Sequence, residues 1–339
     1  MNCSKDNHLS FNFLETPLEI GGVALRNRVI LAPMSGVTDL PFRQLAWRYG
    51  AGLVVTEMVA SRELVGNAHE SWARLKSMGL KPHMVQLAGR EARWMGEAAR
   101  IVADNGADII DINMGCPAKK VTGGYSGAAL MRDPDLALSL VEATVAAVSV
   151  PVTVKMRLGW DENSLNAPEI ARRAVEAGAA AITVHGRTRM QFYEGRADWD
   201  AIRAVREVVS VPLIANGDVD SREDALEILR RSGADAVMVG RASQGRPWHA
   251  GWLAGHAAPG RREIAVIAVA HYRAMLEFYG ETVGVRHARK HLDWYLQRFA
   301  PGLAGEDKAE LLTCREPDVV CERLSVALEA GANPERDAA

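Results

Sequence analysis

The chain has 339 residues, 48% hydrophobic and 24% charged, with a formal net charge of −2. That is ordinary globular composition, with room for one large domain and a smaller one. The near-neutral balance excludes a global attraction to nucleic acid, so any polyanion contact must come from a local basic patch. Four cysteines, Cys3, Cys116, Cys314 and Cys321, form no CxxC pair. They read as free thiols in a reducing cytoplasm, with no metal site. No apolar run is long enough to span a bilayer, and the start lacks the charged-then-apolar pattern of a signal peptide, so a cytoplasmic protein without membrane contact is expected.

In chain order, residues 1–17 read as a polar leader. Eight short apolar runs follow: "RVILAPMSG" from Arg28, "YGAGLVVTEM" from Tyr49, "HMVQLAGR" from His83, "NGADIIDINM" from Asn105, "SVPVTVKMR" from Ser149, "AGAAAITVHG" from Ala177, "SVPLIANGD" from Ser210 and "SGADAVMVGR" from Ser232. Apolar residues on both faces are the mark of strands in a covered parallel sheet. Gly50, Gly106, Gly178 and Gly233 fit helix-closing positions just before four of them. The stretches between, such as "REARWMGEAARIVADNG", carry apolar residues three and four apart, as helices do. Eight β-then-α units over residues 18–250 predict an α/β fold, a (β/α)8 TIM barrel. A doubly wound open sheet is the rival, but the glycine-rich fingerprint it carries after its first strand is missing. After a Pro-Gly break at 259–260, residues 260–331 show only helical periodicity and predict an all-helical C-terminal domain; 332–339 read as a tail.

A barrel carries its chemistry at the C-terminal ends of its strands. Those ends hold Pro33-Met34-Ser35, Thr56-Glu57, Gln86, Asn113, Lys155, His185, Asn216-Gly217-Asp218 and Gly240-Arg241. So many polar side chains in place of Val or Leu need partners, and a bound polar ligand supplies them. Gly217, Gly240 and Arg241 mark the corner where barrels commonly hold a phosphate. Lys155 and His185 suit a flat, amide-rich ring. Flavin mononucleotide (FMN) fits this list.

The motifs "APMSGVTDLPFR", "INMGCPAKKV", "VKMRLGW", "VHGRTRMQFYEGRADW" and "IANGDV" together resemble the tRNA-dihydrouridine synthases, from about Leu18 to Trp248, and "RHARKHLDWYL" at 286–296 looks most like the bacterial B-type branch. The resemblance implies an FMN-bound barrel that reduces the C5–C6 bond of a D-loop uridine in tRNA with NADPH, running back to NAD(P)+ in the reverse direction. The B-type likeness suggests position seventeen. It places Pro33, Met34 and Ser35 along the flavin, Gln86 and Lys155 on its ring, and His185, Asn216, Gly217, Asp218, Gly240 and Arg241 on its ring edge, ribityl chain and phosphate. It also implies a monomer. Ser35 departs from the alanine more usual there, and Tyr125 from a smaller residue.

Cys116 matches the family's catalytic cysteine. Hydride at C6 must be matched by a proton at C5, and an unperturbed thiol, with a pKa of about 8.5, still holds its proton at neutral pH. Substrate and tRNA contacts are expected from Asn113, Lys119, Lys120 and Arg187, with Arg189 beside it. Arg286, Arg289 and Lys290 are expected to add a basic strip on the helical tail, which continues to Arg298. The uridine must be extruded from the folded loop to react. No DNA or obligate protein partner is expected. Two other readings stay open: an FMN barrel acting on a free pyrimidine, such as a dihydroorotate dehydrogenase, and a non-catalytic RNA-binding barrel.

Overall fold

A computed structural model describes residues 10–330. Cys3 and the expected tail therefore lie outside the described residues. The leader is shorter than expected, because Phe11–Glu15 already forms a helical turn that buries Leu14. An antiparallel hairpin then follows, β1 (Leu18–Ile20) and β2 (Val23–Leu25). The sequence reading did not find it. Its Leu18, Ile20 and Leu25 pack with Ile30, Leu53, Met84, Ile109, Ala181, Ile214 and Ala236. Those residues lie toward the starts of the barrel strands, so the hairpin plugs the barrel floor.

The barrel strands are β3 (Val29–Leu31), β4 (Leu53–Val54), β5 (Val59–Ala60), β6 (Met84–Ala88), β7 (Ile109–Met114), β8 (Val152–Arg157), β9 (Ala181–His185), β10 (Leu213–Asn216) and β11 (Ala236–Val239). They form one parallel sheet in the order β4-β3-β11-β10-β9-β8-β7-β6-β5. β4 and β5 are two halves of the second barrel strand, interrupted at Thr56–Met58. A bridge from Val55 to Met84 closes the ring between them. Nine short strands are thus eight barrel positions, as the sequence pattern predicts. Gly50, Gly106, Gly178 and Gly233 all have positive φ, as helix-closing residues do. Pro151 and Pro212 stand immediately before β8 and β10, where a missing N–H costs least.

Helices Arg261–Tyr279, Glu281–Phe299, Gly305–Thr313 and Pro317–Ala330 follow the barrel. They share an apolar core of their own, including Ile264, Tyr272, Leu292, Tyr295 and Leu324. Leu45 and Tyr49, from the segment just after β3, pack against that core. Tyr279 Oη donates to Asp39 Oδ2 at 3.1 Å, and Arg298 Nε donates to the Gln244 carbonyl at 2.7 Å. Both contacts hold the helical layer against loops at the C-terminal face of the barrel. Among the described residues no helix is long and apolar enough to cross a membrane, and no cluster of three or more metal-ligating side chains forms.

Candidate active site

A cavity of about 770 Å³ opens at the C-terminal ends of the strands. That is within the size range of small-molecule sites. Pro33, Met34, Ser35, Gln86, Lys155, His185, Asn216, Gly217, Asp218, Gly240 and Arg241 all line it, with Asn113 and Cys116. The sheet register explains the convergence. Asn113 pairs with Lys155, Arg157 with His185, and His185 with Asn216.

The floor is a buried amide chain. Asn113 Nδ2 donates to Gln86 Oε1 at 2.7 Å, and Gln86 Nε2 donates to Asp111 Oδ2 at 2.7 Å. Thr153 Oγ1 donates to the other Asp111 oxygen at 2.6 Å. Burial pushes the Asp111 carboxyl up to about 6, against the opposing pull of these donors and Lys155. The Lys155 ammonium reaches Asn216 Oδ1 at 3.3 Å. Burial lowers it to about 8, with Arg157 pushing the same way and Asp111 and Cys116 opposing.

His185 is kept neutral. Burial, then Arg157, Lys155, Arg187 and Arg241, hold it well below its ordinary value. Its Nε2 lies 3.3 Å from Arg187 Nη1. A guanidinium can only donate, so Nε2 accepts and the ring proton is assigned to Nδ1.

Cys116 is half-buried in a loop held from both sides. Asn113 Oδ1 takes the N–H groups of Gly115 and Cys116, and Arg157 Nε donates to the Gly115 carbonyl at 2.8 Å. Gly127, with φ +60, donates no side chain to the crowded corner: a Cβ there would fall 2.8 Å from the Cys116 carbonyl oxygen. Lys155 and Arg157 line the same cavity as Cys116.

Among the expected residues, Arg187, Asp218 and Asn113 have polar groups engaged within the protein. Arg187 is expected to meet RNA but is only 1% exposed. Its guanidinium binds both oxygens of Asp218, at 2.9 and 2.6 Å, and the carbonyls of Glu194 and Gly195. Asp218 in turn is consumed by Arg187, the Ala197 N–H and Arg241. Burial pushes its carboxyl up, but these three partners outweigh burial and hold it below its ordinary value. Its carboxylate therefore positions Arg241, and Arg187 positions Asp218. Asn113 spends its amide on the floor and the Cys116 loop. Arg289 is half-buried, with its charge acting on Tyr272.

Lys119 and Lys120 are exposed on a single helical turn, Lys119–Thr122, beside the cavity. Arg286, Lys290, Trp294 and Arg298 are each four apart on helix Glu281–Phe299, which sets them on one face. Lys290 Nζ would lie 2.9 Å from a Cβ on Gly36, and Arg298 lines the cavity. The strip thus runs along the cavity rim.

Arg157 and Tyr193 also line the cavity, beyond the residues expected from sequence. Strand β8 ends at Arg157, two residues beyond Lys155. Period-two alternation puts both on one face, which is the signal that could have found it. Two cations lie over the Tyr193 ring, Arg157 at 5.5 Å and Arg241 at 4.8 Å. No local pattern marks that placement.

A dihydrouridine synthase (Dus) family profile matches residues 30–329 of this chain. The chain belongs to the dihydrouridine synthase family. A probable tRNA-dihydrouridine synthase of Rhizobium leguminosarum is 74% identical over 94% of this chain and 100% of its own length. One from Rhodobacter capsulatus, also named as probable, is 53% identical over 95% of this chain and 99% of its own length. A tRNA-dihydrouridine synthase B of Pseudomonas aeruginosa is 45% identical over 90% of this chain and 93% of its own length. In this dihydrouridine synthase family member the similarity therefore spans the barrel and the helical layer alike.

Proposed function

We propose that this chain reduces the C5–C6 bond of a D-loop uridine in tRNA, with FMN held at the barrel mouth and NADPH as reductant. One observation carries the reading: a clamped cysteine shares a single cavity with Lys155, Arg157, His185 and Arg241. The donor set suits FMN. Gln86, Lys155 and His185 offer groups for a flat amide-rich ring, Asn216 and Gly217 line the way outward, and Arg241 stands at the end of β11 for a phosphate. Gly240 leaves room there, since a Cβ would meet Met34 and Ala32 only at ordinary contact distance. When bound, FMN supplies the hydride-transfer chemistry.

The protein's own residues do the rest. Cys116 holds the proton destined for C5 at Sγ. Asn113 and Arg157 fix the loop so that the sulfur keeps one position, which general acid catalysis requires. The cations of Lys155 and Arg157 then stabilise the negative charge left on Sγ. The Arg286, Lys290 and Arg298 face carries tRNA phosphate across the rim, with Lys119 and Lys120 opposite. The likeness to synthase B extends the proposal to position seventeen and, by the same resemblance, to a cytoplasmic monomer.

The test is anaerobic. The protein's flavin is bleached with NADPH, and tRNA from a strain lacking dihydrouridine is added. Colour returning with tRNA and not with orotate supports the reading, and mapping dihydrouridine in the product checks position seventeen. Reoxidation by small pyrimidines alone overturns the tRNA assignment.

A further inference from the structure

One guanidinium beside the Cys116 loop lacks an anion. Arg189 is 8% exposed, and its Nε has no hydrogen-bond partner. Its other nitrogens reach two weak or long partners, the Met190 sulfur and Thr122 Oγ1, each at 3.4 Å. The carbon of its guanidinium lies 4.7 Å from the Trp160 ring and 4.5 Å from the Phe192 ring. Cation–π contacts offset only part of the cost of desolvating a cation. No ion pair with a carboxylate is found for it among the described residues. Asp161, next to Trp160, spends Oδ1 on the Asn163 N–H and the Ser164 hydroxyl.

The surroundings are cationic as well. Arg132 sits 4.9 Å from the same Trp160 ring, and exposed Lys119 and Lys120 occupy the turn that ends at Thr122. The same two loops are already tied on their inner side. Arg157 donates to the Gly115 carbonyl on one loop and to the Thr188 and Phe192 carbonyls on the other, all at 2.8 Å. Arg189 and Thr122 make the outer tie, and it is long.

We propose that Arg189 is a phosphate subsite: it binds a phosphodiester of the RNA strand next to the reacting uridine, and through Thr122 it draws the Cys116 loop toward residues 187–193. This rests on the tRNA reading above. A guanidinium and a phosphate form paired, charge-assisted hydrogen bonds, which would satisfy the Nε that is now orphaned. Occupancy of the subsite then couples RNA docking to placement of the thiol.

The experiment is a salt series on tRNA-driven reoxidation of the reduced holoenzyme, with the NADPH half-reaction measured in parallel. Each phosphate contact on a single strand contributes roughly 0.7 to the slope of log affinity against log salt. Arg189→Met should lower the slope by about that amount and weaken tRNA about tenfold, while Arg189→Lys keeps the wild-type slope. Arg93→Met, on an outer helix, should also keep it. Arg189→Gln replaces the methionine variant if that protein fails to hold flavin. A wild-type slope in a folded neutral variant overturns the subsite alone. An effect confined to the NADPH half-reaction overturns the RNA assignment. If wild-type protein shows no tRNA-driven reoxidation, the tRNA reading fails and the subsite falls with it.

Discussion

The side-chain oxygen of Asn113 accepts two backbone N–H groups, from Gly115 at 3.1 Å and from Cys116 at 3.0 Å. Asn113, next to the end of β7, therefore holds the cysteine loop. Asn113→Ala leaves two donors unpaired, each at a cost of roughly 1–3 kcal/mol where buried. Single-turnover reduction of tRNA should slow about 10- to 100-fold. Asn113→Asp keeps the acceptor and should recover part of the rate. Alkylation of Cys116 by iodoacetamide should quicken in the alanine variant as the loop loosens; an unchanged alkylation rate would remove the positioning role.

Cys116 itself is tested by deletion of its proton. Cys116→Ala should keep the flavin spectrum and lose roughly 10²- to 10⁴-fold in tRNA turnover, the usual range for one general acid. Wild-type turnover in that variant would show that another group protonates C5.

Lys155 gives a pH dependence. Burial lowers its ammonium to about 8, so it is cationic below that pH and neutral above it. A bound flavin ring is electron-rich where it accepts hydrogen bonds, so affinity should fall as pH rises through about 8. Fluorescence titration of apoprotein with FMN between pH 7 and 10 reads this directly. Lys155→Met should bind more weakly and flatten the profile; a profile that keeps its wild-type shape would assign the pH dependence to another group.

Arg241 separates cofactors. It is half-exposed, and Asp218 holds it at 3.3 Å. Arg241→Ala should weaken FMN about 10- to 100-fold, in line with one charge-assisted phosphate contact. Riboflavin, which has no phosphate, should bind variant and wild type equally. Equal loss for both ligands would place the phosphate elsewhere.

Buried histidines set an acid limit on the fold. Burial lowers His249 and His271 to about 3, and holds His291 well below its ordinary value. A histidine whose folded pKa is depressed gives stability that is complete above its unfolded pKa, about 6.5, and is lost as pH falls toward the folded value. At pH 5 the loss from His249 and from His271 is about 2 kcal/mol each. Urea midpoints should fall steeply between pH 7 and 5. His271→Phe should make that fall shallower, and an equally steep fall would rule His271 out as a source.

The barrel was legible because its repeat is local. A strand covered on both faces needs apolar residues throughout, and the helix before it must close on a residue that tolerates positive φ, so "NGADII" and "SGADAV" mark both at once. The hairpin β1–β2 was not legible, since three-residue strands carry too little alternation to be seen. The break at Thr56–Met58 hid for a related reason. The expected second strand stops at Thr56-Glu57, and the two-residue continuation Val59–Ala60 is too short to carry a pattern of its own.

At the site, residue types sufficed for the strand ends. Polar groups placed where a barrel strand finishes tend to face the mouth, so Gln86, Lys155, His185 and Arg241 followed from chain position, while Thr56 and Glu57 at the second strand bond backbone N–H groups instead. Their partners did not. Arg187 reads as a cation free to meet RNA, yet the fold brings Asp218, 31 residues later, within 2.6 Å and buries the guanidinium against it. Arg298, far along the chain, returns to the cavity only because the helical layer folds back over the barrel. Which side chains reach the mouth could be read from the chain, since side-chain identity and strand period are local properties. Only the tertiary structure decided which charges meet the ligand and which are spent on each other, because that depends on distances between residues far apart in the chain.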